Sequence, residues 1–261
     1  MKERTRYKMK NTIFIIITLV FLYLSGCNSN SEPEIKTDKI VCVLFDLSET
    51  TNTPLIRKNY LEKFKLILNS LNKGDAIIAA LITEKSLSEL DLSISCDFAE
   101  IKPFTDTDLA ERIAKMQTES IIKVKKDSIL IVADSVLLST KRKITNTEIL
   151  GSLQVAERIV KSYNQSKKII VIFSDMIEDS RDYHFELENL NSKRIENIIA
   201  LEKKKNTLPE LKNVKVYVAG ASHPDSQKYN QIKNFWLQYI KSTGGELDSQ
   251  NYGAALINFN E

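Results

Sequence analysis

Three oxygen-bearing side chains follow a hydrophobic run at alternate positions in "VLFDLSET", residues 43–50: Asp46, Ser48 and Thr50. A second run, "KKIIVIFSD" over 167–175, also ends on an aspartate, Asp175. Carboxylates and hydroxyls without nitrogen or sulfur suit a hard cation such as Mg²⁺, Mn²⁺ or Ca²⁺. So few protein oxygens do not close an octahedral shell, and water or an oxygen from a partner must complete it. A strand-terminal aspartate can also be the nucleophile of a phosphoryl transfer. That chemistry needs a second carboxylate as acid and base. Ser48 stands two residues on, and a hydroxyl is a poor proton donor near neutral pH.

The remaining reactive side chains form no competing site. The two histidines, His184 and His223, lack a metal-ligand spacing and read as loop residues. Glu178 and Asp179 follow Asp175 closely enough to line the rim of a site or to support it. Cys42 and Cys96 lie in apolar, strand-like runs with no histidine nearby in sequence, and read as buried thiols. Phe235, Trp236 and Tyr239 read as core.

The elements that position these residues alternate along the chain. "KIVCVLFD" (39–46), "AIIAALIT" (76–83), "KKIIVIFSD" and "VKVYVAGAS" (214–222) are apolar without alternation, as strands buried on both faces are. "DLSISCDF" (91–98) alternates Leu92, Ile94 and Cys96 with polar residues, which predicts an antiparallel or edge strand. Helical spacing follows the first strand, with Pro54 suited to a first turn and Gly74 to a stop. Residues 106–140 predict a long charged helix with Leu109, Ile113, Met116, Ile129, Val132 and Val136 inward and a break near 125–127. A helix over 145–163 takes a Thr or Asn cap, the stretch after Asp175 is helical, and "YGAALINF" supplies a last strand. The alternation predicts an α/β fold: a mostly parallel central sheet, helices on both faces, one antiparallel edge strand. In such sheets sites gather at the carboxyl ends of strands, where Asp46 and Asp175 stand.

On these residues the chain resembles the von Willebrand factor A (VWA) family, over roughly residues 38–260. That family carries a metal-ion-dependent adhesion site (MIDAS) built from Asp-x-Ser-x-Ser, a Thr on a separate loop and an Asp after a central strand. "DLSET" supplies Asp46, Ser48 and Thr50, with Thr in the last place; "TEILGSL" supplies Thr147, with Thr145 as the alternative; "IIVIFSDM" supplies Asp175. The resemblance implies a Rossmann-like, VWA-type fold, a divalent cation (Mg²⁺ first, Mn²⁺ or Ca²⁺ otherwise) and non-catalytic protein binding, a partner's carboxylate filling the open position. The family's usual Asp-Gly is Asp175-Met176 here, which alters the loop after the strand. A fainter similarity to haloacid dehalogenase phosphatases stops at Ser48, where they carry a second aspartate.

The first 26 residues read differently from the rest. Lys2, Arg4, Arg6, Lys8 and Lys10 precede the apolar "TIFIIITLVFLYL", and "LSGC" closes it. This is the pattern of a secretory signal, too short for a membrane span of ~20 residues. Leu24 to Cys27 resemble the bacterial lipobox, which implies cleavage before Cys27 and acylation of that residue. The expected division is a lipoprotein signal peptide over 1–26, a lipidated tether over 27–38 and one VWA-like domain over 39–261. Asn28 rather than Asp after Cys27 points to the outer membrane if the host is Gram-negative. The 37 basic and 34 acidic residues of the chain give +3; the first 26 hold five of the basic and one of the acidic, leaving −1 on the remainder. No basic surface is implied, and so no nucleic-acid binding. A lipoprotein of this fold could also serve as a metal-independent envelope scaffold. The long 100–140 segment then offers itself for partner contacts.

Overall fold

A computed structural model of the chain describes residues 38–83, 91–139, 146–256 and 259. The expected signal peptide, most of the tether, Cys27 and the alternative Thr145 lie outside the described residues. Six strands form one sheet in the order β3-β2-β1-β4-β5-β6. These are β1 (Lys39–Asp46), β2 (Ala76–Ile82), β3 (Asp91–Asp97), β4 (Lys167–Phe173), β5 (Val214–Ala219) and β6 (Tyr252–Gly253). All neighbours pair in parallel except β2 with β3. A mostly parallel sheet with one antiparallel edge strand and helices on both faces is the α/β architecture that the alternation of elements predicts. Every residue of β1 and β2 is buried, as their unbroken apolar runs require.

Five α-helices cover the sheet among the described residues: α1 (Pro54–Ser70), α2 (Asp108–Ser139), α3 (Ile149–Ser162), α4 (Ser192–Lys204) and α5 (Ser226–Ser242). Alternate β1 residues point to opposite sides. Val41, Val43 and Phe45 join the core beneath α1 and α2, and Ile40, Cys42 and Leu44 join the core beneath α3, α4 and α5. Thr53 caps α1, its side chain accepting from Ile56 N at 3.3 Å, with Pro54 at the start. Tyr60, Phe64, Ile67 and Leu68 then face the sheet.

Three local expectations are corrected. The helix α2 runs unbroken for 32 residues. Its buried stripe is Ala110, Ala114, Ile129, Ala133 and Leu137, while Leu109, Met116 and Val132 are exposed. Ile129 faces the core as expected, and the three alanines with Leu137 complete the stripe in place of Leu109, Met116 and Val132. The stretch after Asp175 is a loop through residue 190, and α4 starts only after Asn191, whose side chain accepts from Arg194 N. The start of α3 has no local side-chain cap. The buried Glu178, nearly thirty residues on, accepts from Ile149 N at 2.7 Å and Leu150 N at 3.0 Å.

Among the described residues no helix is long and apolar enough to cross a membrane.

Candidate functional site

Strands β1 and β4 lie side by side at the point where the sheet order reverses. The loop after β1 leads to α1 on one face, and the loop after β4 leads to α4 on the other, leaving a crevice at their carboxyl ends. Asp46 ends β1 and Asp175 lies two residues past β4, so the pairing of the strands brings both carboxylates to that crevice.

Asp46 is fully buried. One carboxylate oxygen accepts from Ser48 N at 2.8 Å and the other from the hydroxyl of Ser174 at 2.7 Å. Ser48 Oγ lies 3.2 Å from Thr50 Oγ1 and 3.4 Å from Thr51 Oγ1. The Thr51 hydroxyl donates to the backbone oxygen of Asp46 at 2.8 Å, which folds the loop back over the strand end. Burial, and then the negative charge of Asp175, push the Asp46 carboxyl up to about 6. Burial also raises Asp175, and the charge of Glu186 adds to it; the Thr50 hydroxyl against it, the Ile177 N–H and His223 work the other way. Both carboxyls are held above their ordinary range chiefly by burial, and a cation between them would favour their charged forms.

Asp46, Ser48, Thr50 and Asp175 therefore share one cradle. Thr147 is placed differently. It is buried just before α3, and its backbone exchanges hydrogen bonds with Asp179 at 2.9 and 3.0 Å. That bridge ties its loop to the one carrying Asp175, but among the described residues no hydrogen bond joins Thr147 to the other four. Glu178 fixes the next turn.

Several functional neighbours were not read from the sequence. Ser174 is buried, donates to Asp46, and accepts from Met176 N at 2.8 Å. Its signal was its place immediately before Asp175. Met176 follows Asp175 and holds φ at +67°, a left-handed turn at a non-glycine residue. Its side chain is buried in the core, and its carbonyl accepts from Trp236 Nε1 at 2.8 Å. Tyr60, from α1, packs on Phe45 and Phe173. Burial, and then the charges of Asp46 and Asp175, keep its hydroxyl protonated far above its usual range. His223 reaches Glu186 at 3.1 Å on the rim, while His184 meets Asp179 at 2.6 Å farther out. Cys42 is buried, and burial pushes its thiol up to about 12, which leaves it no nucleophilic role.

Gly220 holds the crevice open on the β5 side. Its φ is +105°, and a Cβ there would lie 2.7 Å from Tyr60 Oη and 3.1 Å from the carbonyl of Ser174. The variant Gly220→Ala is expected to lose about 1–3 kcal/mol through strain and displacement of Tyr60. An unchanged urea midpoint would show that this contact is not tight.

The donor set is all oxygen. Among the described residues no group of three or more His, Cys, Asp or Glu could hold a metal. Any ion here must use hydroxyls beside two carboxylates, which fits a hard divalent cation and not a soft one.

No protein-family model matches the chain, and no curated protein matches it. Among solved structures, it is similar to proximal thread matrix protein 1 from the mussel byssus with a zinc-occupied MIDAS motif (14% identity, 75% of this chain, 39% of that chain, TM-score 0.40). It is also similar to the manganese-loaded TRAP protein of Plasmodium vivax (11% identity, 81% of this chain, 75% of that chain, TM-score 0.41). A third is a von Willebrand factor type A structure from Catenulispora acidiphila (10% identity, 82% of this chain, 40% of that chain, TM-score 0.40). The chain spans about two-fifths of the length of the mussel protein.

Proposed function

We propose that this chain is a non-catalytic, membrane-anchored binding protein of the bacterial envelope. It captures a protein partner through a divalent cation held by Asp46, Ser48, Thr50 and Asp175, with Thr147 on the adjoining loop. Mg²⁺ is the first choice; Mn²⁺ and Ca²⁺ share the same oxygen chemistry. The observation that carries this reading is the pair of carboxylates that the pairing of β1 and β4 brings together at the switch point, with the hydroxyls of Ser48 and Thr50 beside them. A cation there balances the two negative charges. The protein oxygens leave part of its shell to water or to a carboxylate of the partner. Anchoring rests on the lipobox-like run ending at Cys27, and the outer membrane is the favoured destination in a Gram-negative host.

The exposed outer side of α2, with Leu109, Met116, Val124 and Ile131, favours a second reading as a metal-independent scaffold. Thermal melts with and without Mg²⁺ or Mn²⁺ separate the two. At a hundred times its Kd, a bound cation adds about 2.7 kcal/mol, which raises Tm by roughly 5–10 °C for a domain of this size. Wild type is expected to show this rise and Asp46→Ala to lack it. Identical melts with and without the cation would leave the scaffold reading.

A further inference from the structure

The cradle opens sideways into a cavity of about 470 Å³. The cavity lies between α1 and the loops after β4 and β5, and Thr50 and Asp175 line it as well as the cradle. Its α1 wall is a single helical stripe of Ile56, Asn59, Tyr60 and Lys63, spaced to share one face.

That wall is rich in donors. Tyr60 is 1% exposed, and its buried hydroxyl has no hydrogen-bond partner. Such a group carries an unmet donor that a ligand oxygen would satisfy. Lys63 Nζ donates to the carbonyl of Ala254 at 2.6 Å and has further N–H donors to offer. Asn59 adds an amide. On the opposite rim Glu186 is held by His223, and Gly220 leaves room for the Tyr60 hydroxyl.

We infer that this cavity seats a second anionic group of the ligand, so that the partner presents two acidic groups a few bonds apart. One carboxylate meets the cation. The other lies against the Tyr60 hydroxyl and the Lys63 ammonium, with its connecting carbons between Ile56, Ile177 and Pro224. An acidic peptide segment has this chemistry. The inference rests on the cation-binding reading of the cradle.

Acetate and succinate test it as probes of one and two carboxylates. On protein loaded with Mn²⁺, displacement of metal-bound water is followed by water-proton relaxation. Succinate is expected to act at a concentration at least tenfold below that of acetate. In Tyr60→Phe and in Lys63→Met, each measured as the ratio of the two probes, that advantage is expected to fall severalfold. Phenylalanine removes only the hydroxyl, and Lys63 is not buried, so both variants keep their packing. Protein that binds no Mn²⁺ overturns both the cation reading and the inference. Protein that binds Mn²⁺ but treats succinate like acetate overturns the cavity assignment alone. An advantage that persists in both variants overturns the assignment to Tyr60 and Lys63.

Discussion

Asp46→Asn is expected to stabilise the metal-free protein at pH 7 by up to about 3 kcal/mol, at about 1.4 kcal/mol for each tenfold by which burial tightens the carboxyl's hold on its proton. The direction follows from the carboxyl being pushed up to about 6 from an ordinary 3.8. Below about pH 4 it is protonated in both the folded and the unfolded chain, and nothing is lost. As pH rises towards 6, the unfolded chain releases this proton while the folded protein keeps it, so folding loses ground. Above 6 the deficit is constant. The asparagine removes it and can still fit, because its oxygen accepts from Ser48 N and its amide can donate to Ser174 Oγ. Urea denaturation in EDTA at pH 4 and pH 7 measures the difference. The two proteins should lie closer at pH 4 than at pH 7. With saturating Mg²⁺ the order should narrow or reverse, since only wild type gains from the ion. A variant less stable than wild type at pH 7 in EDTA would show that the carboxylate's hydrogen bonds outweigh its buried charge.

Glu178→Ala is expected to cost about 2–6 kcal/mol, because two buried N–H groups at the start of α3 each lose their acceptor at roughly 1–3 kcal/mol. In a domain of this size that lowers Tm by roughly 5–15 °C. Glu178→Gln separates the acceptor from the charge, since the amide oxygen still receives both donors. Burial pushes the Glu178 carboxyl up to about 8 from 4.5. Wild type therefore loses stability from this group as pH rises between those values, and the glutamine does not. The glutamine variant should match or exceed wild type at pH 6 and gain on it towards pH 8. Thr147 stands two residues before the first capped N–H, so the alanine variant should also blunt the stabilisation by Mg²⁺. A full cation response in Glu178→Ala would show that the loop of Thr147 needs no such support.

The frame of the site was legible because burial on both faces leaves a plain mark. The unbroken apolar runs of β1 and β4 stop at their polar ends, and the fold places Asp46 and Asp175 where the pattern implied. The spacing of Asp46, Ser48 and Thr50 likewise translated into a shared loop. What stayed hidden depended on contacts across long sequence distances. Glu178 caps α3 from the far side of β4, and no local pattern at residues 145–149 could reveal it. On α2 the reading was right at Ile129, which faces the core, and wrong at Leu109, Met116 and Val132, which face out while Ala110, Ala114 and Ala133 face in. At Met176 the backbone takes a left-handed turn, its N–H bonded to the Ser174 hydroxyl and its carbonyl to the Trp236 indole, and the second of these partners lies sixty residues away.

That last arrangement has an optical consequence. The chain has one tryptophan, and its indole N–H is bonded to the carbonyl of the residue after Asp175. From Asp46, hydrogen bonds run through the Ser174 hydroxyl to Met176 and on to the indole, from the floor of the crevice to helix α5. The protein thus carries a single indole linked by hydrogen bonds to its cradle. Its emission, excited at the red edge of the absorption band, is therefore expected to shift when the cradle fills, without any label being attached.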